Sequence, residues 1–354
     1  MSGRPTQLDR DRLEKLISAF PQVHLLVLGD VVLDEYLYGE VERMSPEAPV
    51  PVVHIARESQ QLGGAGNVVR NVVALGGRCS FSSVVGDDSD GQLVLDLLDQ
   101  LAVATDGVLR IPNRPTTRKT RVVARGQQVV RFDRETLEPL GDAHGEAILR
   151  VLGEWVGSAG RGRSEVSGAI LEDYGKGFFS PGLTRRAMSL LLDANLPIAL
   201  DPKGELAPYR GASLIKPNLR EAELLSGITV RSPEDLARVV DDLRQRVDGA
   251  DVVVTRGGDG MTVFEGAQPG RDVCTVSQQV YDVQGAGDTA IAALVLAQRG
   301  GATLVEAAVI ANAAAGVVVE KTGTATASPD ELMALLPAAI EAAGSGRPDQ
   351  QNEV

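Results

Sequence analysis

The chain has 354 residues, of which 43% are hydrophobic, which suffices for one large α/β domain or two smaller ones and argues against disorder over most of its length. A formal charge of −13 argues against nucleic-acid binding, because affinity for a phosphate backbone comes from massed Lys and Arg. The two cysteines have neither metal nor redox spacing, so we expect no disulfides. The amino-terminal segment is charged and no apolar run is long enough to span a bilayer, so we expect a cytoplasmic protein without a membrane partner.

Short apolar runs, each closed by a turn signal, recur along the chain and predict β-strands. They are VHLLVLGD (23–30), CSFSSVVGDD (79–88), SGAILEDYGKG (167–177), LPIALDPKG (196–204), ASLIKPN (212–218) and ADVVVTRGG (250–258). Segments with helical spacing lie between them, for example 184–195 and 233–247. This alternation predicts an α/β fold with a doubly wound, mostly parallel sheet flanked by helices. Ligands bind beyond the carboxyl ends of such strands, where these polar residues fall: Asp30, Asp173, Asp201, Asn218 and Thr255.

Two stretches break the pattern and predict a small antiparallel β subdomain, which we expect to cover the main sheet as a lid. PVPVVHI (49–55) alternates like a strand, and TRKTRVVARGQQVVRFD (117–133) predicts a hairpin that turns at residues 125–128. The lid strands are expected at about 36–57 and 115–134 of one domain covering residues 1–340. Residues 341–354 are rich in turn-forming and polar residues without periodicity, so we expect a disordered tail.

Several chemistries lack their usual markers. No two of the three histidines have metal-ligand spacing, so a structural zinc site is not expected. No G-x-S-x-G motif occurs, which argues against hydrolase-type nucleophilic catalysis. A phosphate-binding P-loop also fails, because the pair Gly175-Lys176 has no glycine five residues earlier and is followed by Gly177 instead of Ser or Thr.

The stretch YDVQGAGDTA (281–290) allows three interpretations. It satisfies a relaxed dinucleotide-binding pattern, but it lies late in the chain and would place Asp288 against a pyrophosphate. It also fits a purely structural glycine turn with Asp288 as a helix cap. In the third interpretation, backbone N–H groups of Gly285, Ala286 and Gly287 form an anion hole for a transferred phosphoryl group, while Asp288 accepts a proton from the attacking hydroxyl.

DVQGAGDTAIAALV (282–295) resembles the carboxyl-terminal signature of the ribokinase-like (PfkB) sugar kinases, and GGAGNVVRNVVALGG (63–77) resembles their amino-terminal one. The resemblance runs from about residue 23 to residue 328. Within the family it is closest to the D-glycero-D-manno-heptose 7-phosphate kinases, whose hallmarks are similar to seven segments in the same order. These are GDVVLDEYLYG (29–39), MSPEAPVPVV (44–53), KTRVVARGQQVVRFD (119–133), DYGKG (173–177), DPKG (201–204), PNLREAE (217–223) and ANAAAGVVVEKTGTAT (311–326).

The resemblance implies an ATP- and Mg²⁺-dependent enzyme that phosphorylates the anomeric hydroxyl of heptose 7-phosphate to the 1,7-bisphosphate, in the synthesis of ADP-heptose for a lipopolysaccharide core or of GDP-heptose. It also implies a homodimer formed through the β lid. Two alternatives remain beside it: a kinase of another sugar or sugar phosphate, and a catalytically silent sugar-binding regulator. Because few residues follow Ser328 and no H-x-G-H motif occurs, we expect the kinase step alone, without a nucleotidyltransferase.

On the sugar side, the resemblance implies contacts from five residues near the first strand and the amino-terminal signature: Asp30, Asp34, Gly63, Gly64 and Asn67. Carboxylates suit paired sugar hydroxyls, and glycines allow close backbone approach. Asp173 is expected at the edge of the active site. A basic hairpin is expected to bind the distal phosphate through some of its cations, although a solvated face is the usual fate of such a run: Lys119, Arg121, Arg125 and Arg131. Gln127 and Gln128 are expected on the sugar-facing side of the lid.

On the nucleotide side, the segment Asn218-Leu219-Arg220-Glu221 matches the family's N-x-x-E element. The resemblance implies that Asn218 and Glu221 organise Mg²⁺, partly through water, and the same spacing also predicts a helix capping box. Further ATP contacts are implied for the following residues: Lys203, Thr255, Gly257, Gly260 and Asn312. The chain departs from the heptose kinase pattern at Glu172, where Ser is usual, and at Gln284, where Thr or Ser is common.

Overall fold

In a computed structural model, residues 8–157, 166–276, 282–321 and 323–345 are described. The helices are α1 (Arg10–Ser18), α2 (Ala65–Ala74), α3 (Ser89–Gln100), α4 (Asp142–Gly157), α5 (Pro181–Asp193), α6 (Leu219–Ser226), α7 (Pro233–Arg246), α8 (Ala286–Arg299), α9 (Leu304–Val319) and α10 (Pro329–Ser345). The strands are β1 (His24–Gly29), β2 (Val31–Met44), β3 (Pro51–Gly64), β4 (Arg78–Gly86), β5 (Val108–Ile111), β6 (Arg118–Ala124), β7 (Gln127–Arg134), β8 (Gly168–Glu172), β9 (Ile198–Asp201), β10 (Leu214–Ile215), β11 (Asp251–Thr255), β12 (Met261–Phe264) and β13 (Arg271–Val273).

The large sheet has the strand order β13-β12-β11-β10-β9-β8-β1-β4-β5. Its strands pair in parallel from β11 through to β5, and β12 and β13 add an antiparallel edge. Helices cover both faces, which is why β1 is a continuous apolar run: Leu25 and Val27 face one core, and Leu26 and Leu28 face the other. The predicted α/β architecture with a mostly parallel, doubly wound sheet is therefore confirmed.

Local signals set the helix starts. Ser180 and Ser232 each cap a helix whose first residue is a proline, and their side chains accept hydrogen bonds from the backbone N–H groups of Leu183 and Asp235. The segments predicted at 184–195 and 233–247 are accordingly α5 and α7, with α5 beginning three residues earlier than expected.

A separate four-stranded sheet, which we call the lid, has the order β3-β2-β6-β7. Its hairpin turns through Arg125 and Gly126, whose φ angles of 52° and 75° are those of a tight two-residue β-turn. The predicted small sheet is present, but β2 and β3 are longer than expected. β2 begins directly after the end of β1, and β3 runs directly into α2. The lid is therefore joined to the edge of the main sheet where ligands are expected.

The carboxyl-terminal prediction needs a correction. Residues 341–345, which were expected in a disordered tail, continue α10, while residues 346–354 lie outside the described residues. Within the part of the chain that the structure describes, no helix has the length and apolarity needed to cross a membrane.

Candidate active site

The carboxyl ends of the parallel strands supply one wall of a cavity of about 230 Å³. The register aligns Gly29 of β1, Glu172 of β8 and Asp201 of β9, and a further bridge joins Asn218 to Thr255. Parallel pairing therefore collects polar side chains from distant parts of the sequence at one edge. The cavity is lined by Glu172, Asp173, Tyr174, Asp201, Pro202, Lys203, Lys216, Asn218, Glu221, Thr255, Gly285, Gly287 and Asp288.

The glycine turn before α8 forms the opposite wall. Gly285 has a φ of 78°, and a Cβ at this position would lie 2.6 Å from Thr324 Cγ2 and 2.7 Å from Asn67 Nδ2, so only glycine fits. The N–H of Ala286 donates to the carbonyl of Val283 at 3.3 Å. The turn thereby presents the first amides of a 14-residue helix to the cavity, where partial positive charge favours an anion.

Asp288 lies in the first turn of α8 and is only 7% exposed. Its Oδ2 accepts a hydrogen bond from Asn67 Nδ2 at 2.7 Å, and its Oδ1 accepts one from the Tyr174 hydroxyl at 2.8 Å. Burial raises the pKa of Asp288, although both hydrogen bonds and the nearby charge of Lys216 act in the opposite direction. A buried carboxylate beside a helix N-terminus in a polar cavity has the environment of a general base.

A buried cation lies beside this carboxylate, and sequence reasoning missed it. The side chain of Lys216 is 3% exposed, its Nζ is 2.7 Å from Asp201 Oδ2, and a Cβ on Gly287 would be 3.7 Å from the same nitrogen. Burial alone would lower the pKa of Lys216, but Asp201 and Glu172 outweigh it and raise that pKa. The ammonium is therefore held charged at the mouth of the glycine turn. A lysine inside the apolar run ASLIKPN was the available signal, since a lysine so placed is buried with its partner.

Glu172 is the second carboxylate near this ammonium. It is 2% exposed, and burial, followed by the charges of Asp201 and Asp288, raises its pKa well above the ordinary range. Burial likewise raises the pKa of Asp201, to about 6. Glu172, at which the sequence departs from the heptose kinase pattern, thus adds an acidic group to the lining of the cavity, and its charge acts on Lys216.

An adjoining pocket of about 320 Å³ lies on the other side of the glycine turn. Three of its residues come from the predicted nucleotide loop, Thr255, Gly257 and Gly260, and Asn312 of α9 adds an amide whose Nδ2 donates to the carbonyl of Cys274 at 2.6 Å. Gly287 and Asn218 line both this pocket and the polar cavity. The structure therefore brings these predicted ATP residues together around one elongated space.

The N-x-x-E segment divides between two tasks. Asn218 and Glu221 form the complete capping box of α6, with both of its hydrogen bonds at 2.9 Å, and both residues also line the cavity. Leu219 and Arg220 do not line the cavity or the adjoining pocket; Leu219 packs against the core and Arg220 is exposed. Leu219 therefore has a packing role, whereas Arg220 lines a neighbouring pocket of about 600 Å³ together with Lys203, Asn218 and Glu221, and its nucleotide contact remains a prediction.

Two side chains expected to bind sugar are engaged elsewhere. The buried carboxylate of Asp30 accepts three backbone hydrogen bonds at 3.0 Å, from Tyr174, Lys176 and Phe178. Asn67 is fully buried and holds Asp288 instead of facing a ligand. In this arrangement Asp30 organises the loop after β8 and Asn67 positions the carboxylate of α8, while their contacts to a sugar remain predictions.

Two further predicted residues shape the same region. Gly64 has a φ of 57°, and a Cβ there would lie 2.5 Å from the carbonyl oxygen of Asp30. Asp173 lines the cavity, but its Oδ2 accepts a hydrogen bond from the Tyr209 hydroxyl at 2.7 Å, and its Oδ1 accepts one from the N–H of Gly175 at 2.8 Å. Asp173 is thus largely committed to holding its loop.

The inner face of the lid carries the remaining sugar-side candidates. Arg121 Nη1 is 2.5 Å from Asp34 Oδ1, and Asp34 Oδ2 abuts Gly63, where a Cβ would collide with it. Lys119 lies on the same face of β6, with its Nζ 5.8 Å from the centroid of the Tyr174 ring, and burial lowers its pKa. Two cations and one carboxylate therefore face the main sheet from the lid.

The outer part of the hairpin is divided by its register. Arg131 pairs opposite Arg121, which puts it on the inner face, and it forms an ion pair with Asp133 at 2.9 Å. Gln127 pairs with Ala124 on the other face, so the structure does not bring it to the cleft. Gln128 lies opposite Val123 on the inner face, and together with Arg125 and Gln284 it lines a groove at the turn end of the hairpin. Gln284, which had no role in the sequence interpretation, accepts a hydrogen bond from the Tyr36 hydroxyl at 2.7 Å.

Residues 23–331 match the pfkB family of carbohydrate kinases. The chain belongs to this family. It is a sugar kinase with a ribokinase-like fold, and the predicted family resemblance is confirmed. Among the three interpretations of the glycine turn, membership in a kinase family favours the anion hole over the dinucleotide-binding pattern, and the role of Asp288 remains a prediction.

Curated relatives of this kinase carry the name bifunctional protein HldE. The protein from Pelobacter propionicus is 41% identical over 327 residues, which cover 92% of this chain and 66% of the relative. That from Geobacter metallireducens is 42% identical over 330 residues, with 93% and 66% covered. The kinase therefore spans about two thirds of the length of these relatives.

Solved structures share the fold at low sequence identity. Arabidopsis thaliana ribokinase complexed with ribose and ATP aligns with a TM-score of 0.69 and 21% identity, covering 89% of this chain and 98% of that one. Escherichia coli phosphofructokinase-2 in complex with substrates and products aligns with a TM-score of 0.70, 21% identity and the same coverage. At this identity the likeness establishes the architecture alone.

The donor chemistry of the kinase cavity fits Mg²⁺ held by few protein ligands. Among the described residues, no three His, Cys, Asp or Glu side chains converge on a common metal position. Mg²⁺ keeps several waters and is usually bound by one or two carboxylates together with substrate phosphates. Glu221 presents such a carboxylate, since its Oε2 serves the capping box while its Oε1 lies 3.5 Å from Lys203 Nζ at the cavity.

Proposed function

We propose that this kinase transfers the γ-phosphoryl group of ATP to the anomeric hydroxyl of D-glycero-D-manno-heptose 7-phosphate and releases ADP and the 1,7-bisphosphate. The observation that carries the proposal is the position of Asp288. It lies at the polar cavity between a glycine-lined pocket suited to a nucleotide and a lid whose inner face carries Lys119 and Arg121. The similarity of the chain to the seven hallmarks of heptose 7-phosphate kinases supports this sugar.

The chain's own residues account for the reaction. Asp288 accepts the proton of the sugar hydroxyl while the oxygen of that hydroxyl forms a bond to the γ-phosphorus. At the same time the bond from this phosphorus to the oxygen of ADP breaks, and ADP leaves with the electron pair. The Gly287 amide at the start of α8 and the ammonium of Lys216 neutralise charge on the transferred group. Mg²⁺, held near Asn218 and Glu221, would supply further charge neutralisation between the phosphates of ATP.

The cations of the lid support a substrate that carries a second, distal phosphate. The chain as a whole is acidic, with a formal charge of −13, whereas the inner face of the hairpin presents Lys119, Arg121 and Arg131. Arginine binds phosphate through a planar fork of donors and is the preferred residue for that task. A sugar without a distal phosphate would leave these charges without a partner in the substrate.

The outer face of the lid supports assembly into a homodimer. Val130 and Phe132 of β7 lie on the outer face of the lid, which is the face that does not carry Arg121. Their exposed fractions are 48% and 50%. Adjacent exposed apolar side chains of this size are typical of protein–protein contacts. We infer that two copies of the chain pair through this face.

A sugar panel tests the function. The purified kinase is given ATP and Mg²⁺ with heptose 7-phosphate, free heptose, ribose or fructose 6-phosphate, and ADP release is measured with a coupled assay. We expect turnover with the heptose phosphate, and phosphorus and proton NMR of the product from each anomer then identifies the hydroxyl that is phosphorylated. Turnover of ribose or fructose 6-phosphate with none of the heptose phosphate would overturn the assignment.

A further inference from the structure

Both oxygens of the Asp288 carboxylate have hydrogen-bond donors from elements far away in the sequence. Asn67 of α2 donates to Oδ2 at 2.7 Å, and the hydroxyl of Tyr174, in the loop after β8, donates to Oδ1 at 2.8 Å. An ionised carboxylate only accepts hydrogen bonds, so the phenol must be the donor in its bond. Neither the family match nor the sequence interpretation gives Tyr174 a role.

The position of Tyr174 is fixed from two sides. Its backbone N–H donates to Asp30 Oδ2 at 3.0 Å, and the same carboxylate holds Lys176 and Phe178. Its ring faces the backbone of Gly64, where a Cβ would lie 3.6 Å from Tyr174 Cδ2. The buried Asp30 thus fixes the backbone conformation of the loop after β8. The loop fixes the orientation of the Tyr174 ring, and the ring directs its hydroxyl to Asp288.

The ring also lies between two lysines that are proposed to contact phosphate groups at opposite ends of the cleft. Lys119 Nζ, from the lid, lies 5.8 Å from its centroid, and Lys203 Nζ, from the nucleotide side, lies 5.4 Å from it. Both distances allow attraction between an ammonium and an aromatic face. The phenol therefore lies between the lid and the nucleotide side of the cleft, where phosphoryl transfer is proposed to take place.

We propose that Tyr174 is a positioning residue for the reaction: its hydroxyl orients the Asp288 carboxylate toward the attacking sugar hydroxyl and stabilises its ionised form. The proposal rests on the proposed role of Asp288 in phosphoryl transfer. A hydrogen bond from a neutral donor to a carboxylate favours the charged state, and here it counteracts the burial that favours the neutral one. Burial raises the pKa of Tyr174 well above its ordinary value, so the phenol stays protonated while the kinase works.

The charged groups that surround this pair must be considered in any pH experiment. They are Glu172 and Asp201 at the ends of β8 and β9, Lys216 after β10, Asp34 on β2, Lys119 on β6, Lys203 after β9 and Arg70 on α2, whose Nη1 donates to Asn67 Oδ1 at 3.2 Å. All of them remain in a Tyr174→Phe variant, which removes one oxygen atom and keeps the ring.

The pH profile of kcat separates a positioning role from a structural one. Because the base must be ionised, the rate falls at low pH through the pKa of Asp288. We expect Tyr174→Phe to move this acidic limb to higher pH by about one unit and to lower kcat about tenfold or more, as for loss of a hydrogen bond to a charged group. The KM for ATP should not change. Tyr174→Gln, whose amide can still donate, should restore part of both effects.

Tyr209→Phe is the matched control. Its hydroxyl also donates to a carboxylate, that of Asp173, at 2.7 Å, but it does not contact Asp288. This variant should leave the acidic limb in place. Circular dichroism establishes that each variant is folded, and the Gln variant carries the test if the Phe variant is not. An unchanged limb and unchanged kcat in a folded Tyr174 variant would overturn the proposal.

A second readout needs no sugar. Infrared difference spectra of the wild type against Asp288→Asn follow the carboxyl band of Asp288 during a pH titration, and the same difference in a Tyr174→Phe background should titrate at higher pH. If the proposed sugar is wrong, the wild type fails to turn it over while the infrared shift persists. If Tyr174 has no positioning role, the wild type is active and the infrared shift is absent.

Discussion

The ammonium of Lys216 lies 2.7 Å from the carboxylate of Asp201, and both groups are almost completely shielded from solvent. The pair sits beneath the start of α8, where the transferred phosphoryl group is proposed to pass. Since a charge in such a place is costly unless it is paired, the pair links the stability of the fold to the chemistry of the site.

Removing one partner of this pair should destabilise the protein strongly. Lys216→Met leaves Asp201 and Glu172 without their cation, and we expect the free energy of unfolding to fall by roughly 3–5 kcal/mol, measured by urea denaturation. Adding Asp201→Asn in the same chain should recover most of the stability but not kcat, because the positive charge at the glycine turn is still missing. Lys203→Met is the control: its pair with Glu221 is half exposed, so its loss should cost at most about 1 kcal/mol. Equal losses from the two lysine variants would contradict this account.

Asp288→Asn should remove catalysis while preserving ligand binding. The amide is nearly isosteric but cannot accept the proton, so we expect kcat to fall by about 10²- to 10⁴-fold. Isothermal titration calorimetry should give a Kd for ATP close to that of the wild type, because Asp288 is not among the residues lining the adjoining nucleotide pocket. A variant with wild-type turnover would remove Asp288 from the mechanism.

Arg121 should determine the preference for a phosphorylated sugar. Arg121→Met should raise the KM for the sugar phosphate at least about tenfold and leave that for ATP unchanged, because a charge-assisted contact to phosphate is lost. Arg134→Met serves as the comparison, since Arg134 belongs to the same hairpin but is 57% exposed and lies on the outer face opposite Arg118. Equal effects of the two substitutions would argue that general charge, not a specific site, attracts the substrate.

Phe132→Asp should separate the proposed dimer. A carboxylate in the centre of the exposed apolar face would have to be buried without a partner on association, so sedimentation velocity should show a monomer where the wild type is dimeric. Gln128→Asp adds the same charge to the exposed inner face of the hairpin, opposite Val123, and should leave the dimer intact. A wild type that is monomeric at all concentrations would exclude this interface.

Much of the fold and the outline of the site could be predicted from contiguous residues. Short apolar runs that alternate with helical segments predict a parallel sheet. The strands of such a sheet are covered by helices on both faces, so successive side chains must all be apolar. The glycine turn with Asp288 and the N-x-x-E segment are equally local: a few neighbouring residues contain both the backbone conformation and the chemical groups. The mostly parallel sheet and the separate lid were therefore recognisable without coordinates.

Register decided which face of the lid each side chain occupies. A bulge leaves Val129 unpaired between the pairs Val122–Val130 and Val123–Gln128, and this extra residue returns Arg131 to the inner face opposite Arg121. One residue more or less reverses every side chain beyond it, because the period of a strand is two. The sequence contains the hairpin signal but no mark of the bulge, and strict alternation could not decide where Arg131 or Gln127 points.

Partners of the buried polar groups were decided by tertiary structure alone. Asp30 could bind sugar hydroxyls or backbone amides, and the loop after β8 supplies the amides. The donors on Asp288 come from 221 and 114 residues away, and Lys216 finds Asp201 only because β9 and β10 are adjacent in the sheet. A carboxylate, an amide or an ammonium carries the same chemistry in any sequence. What it does depends on which donors and charges lie within about 3 Å once water is excluded, and only the packed chain determines that.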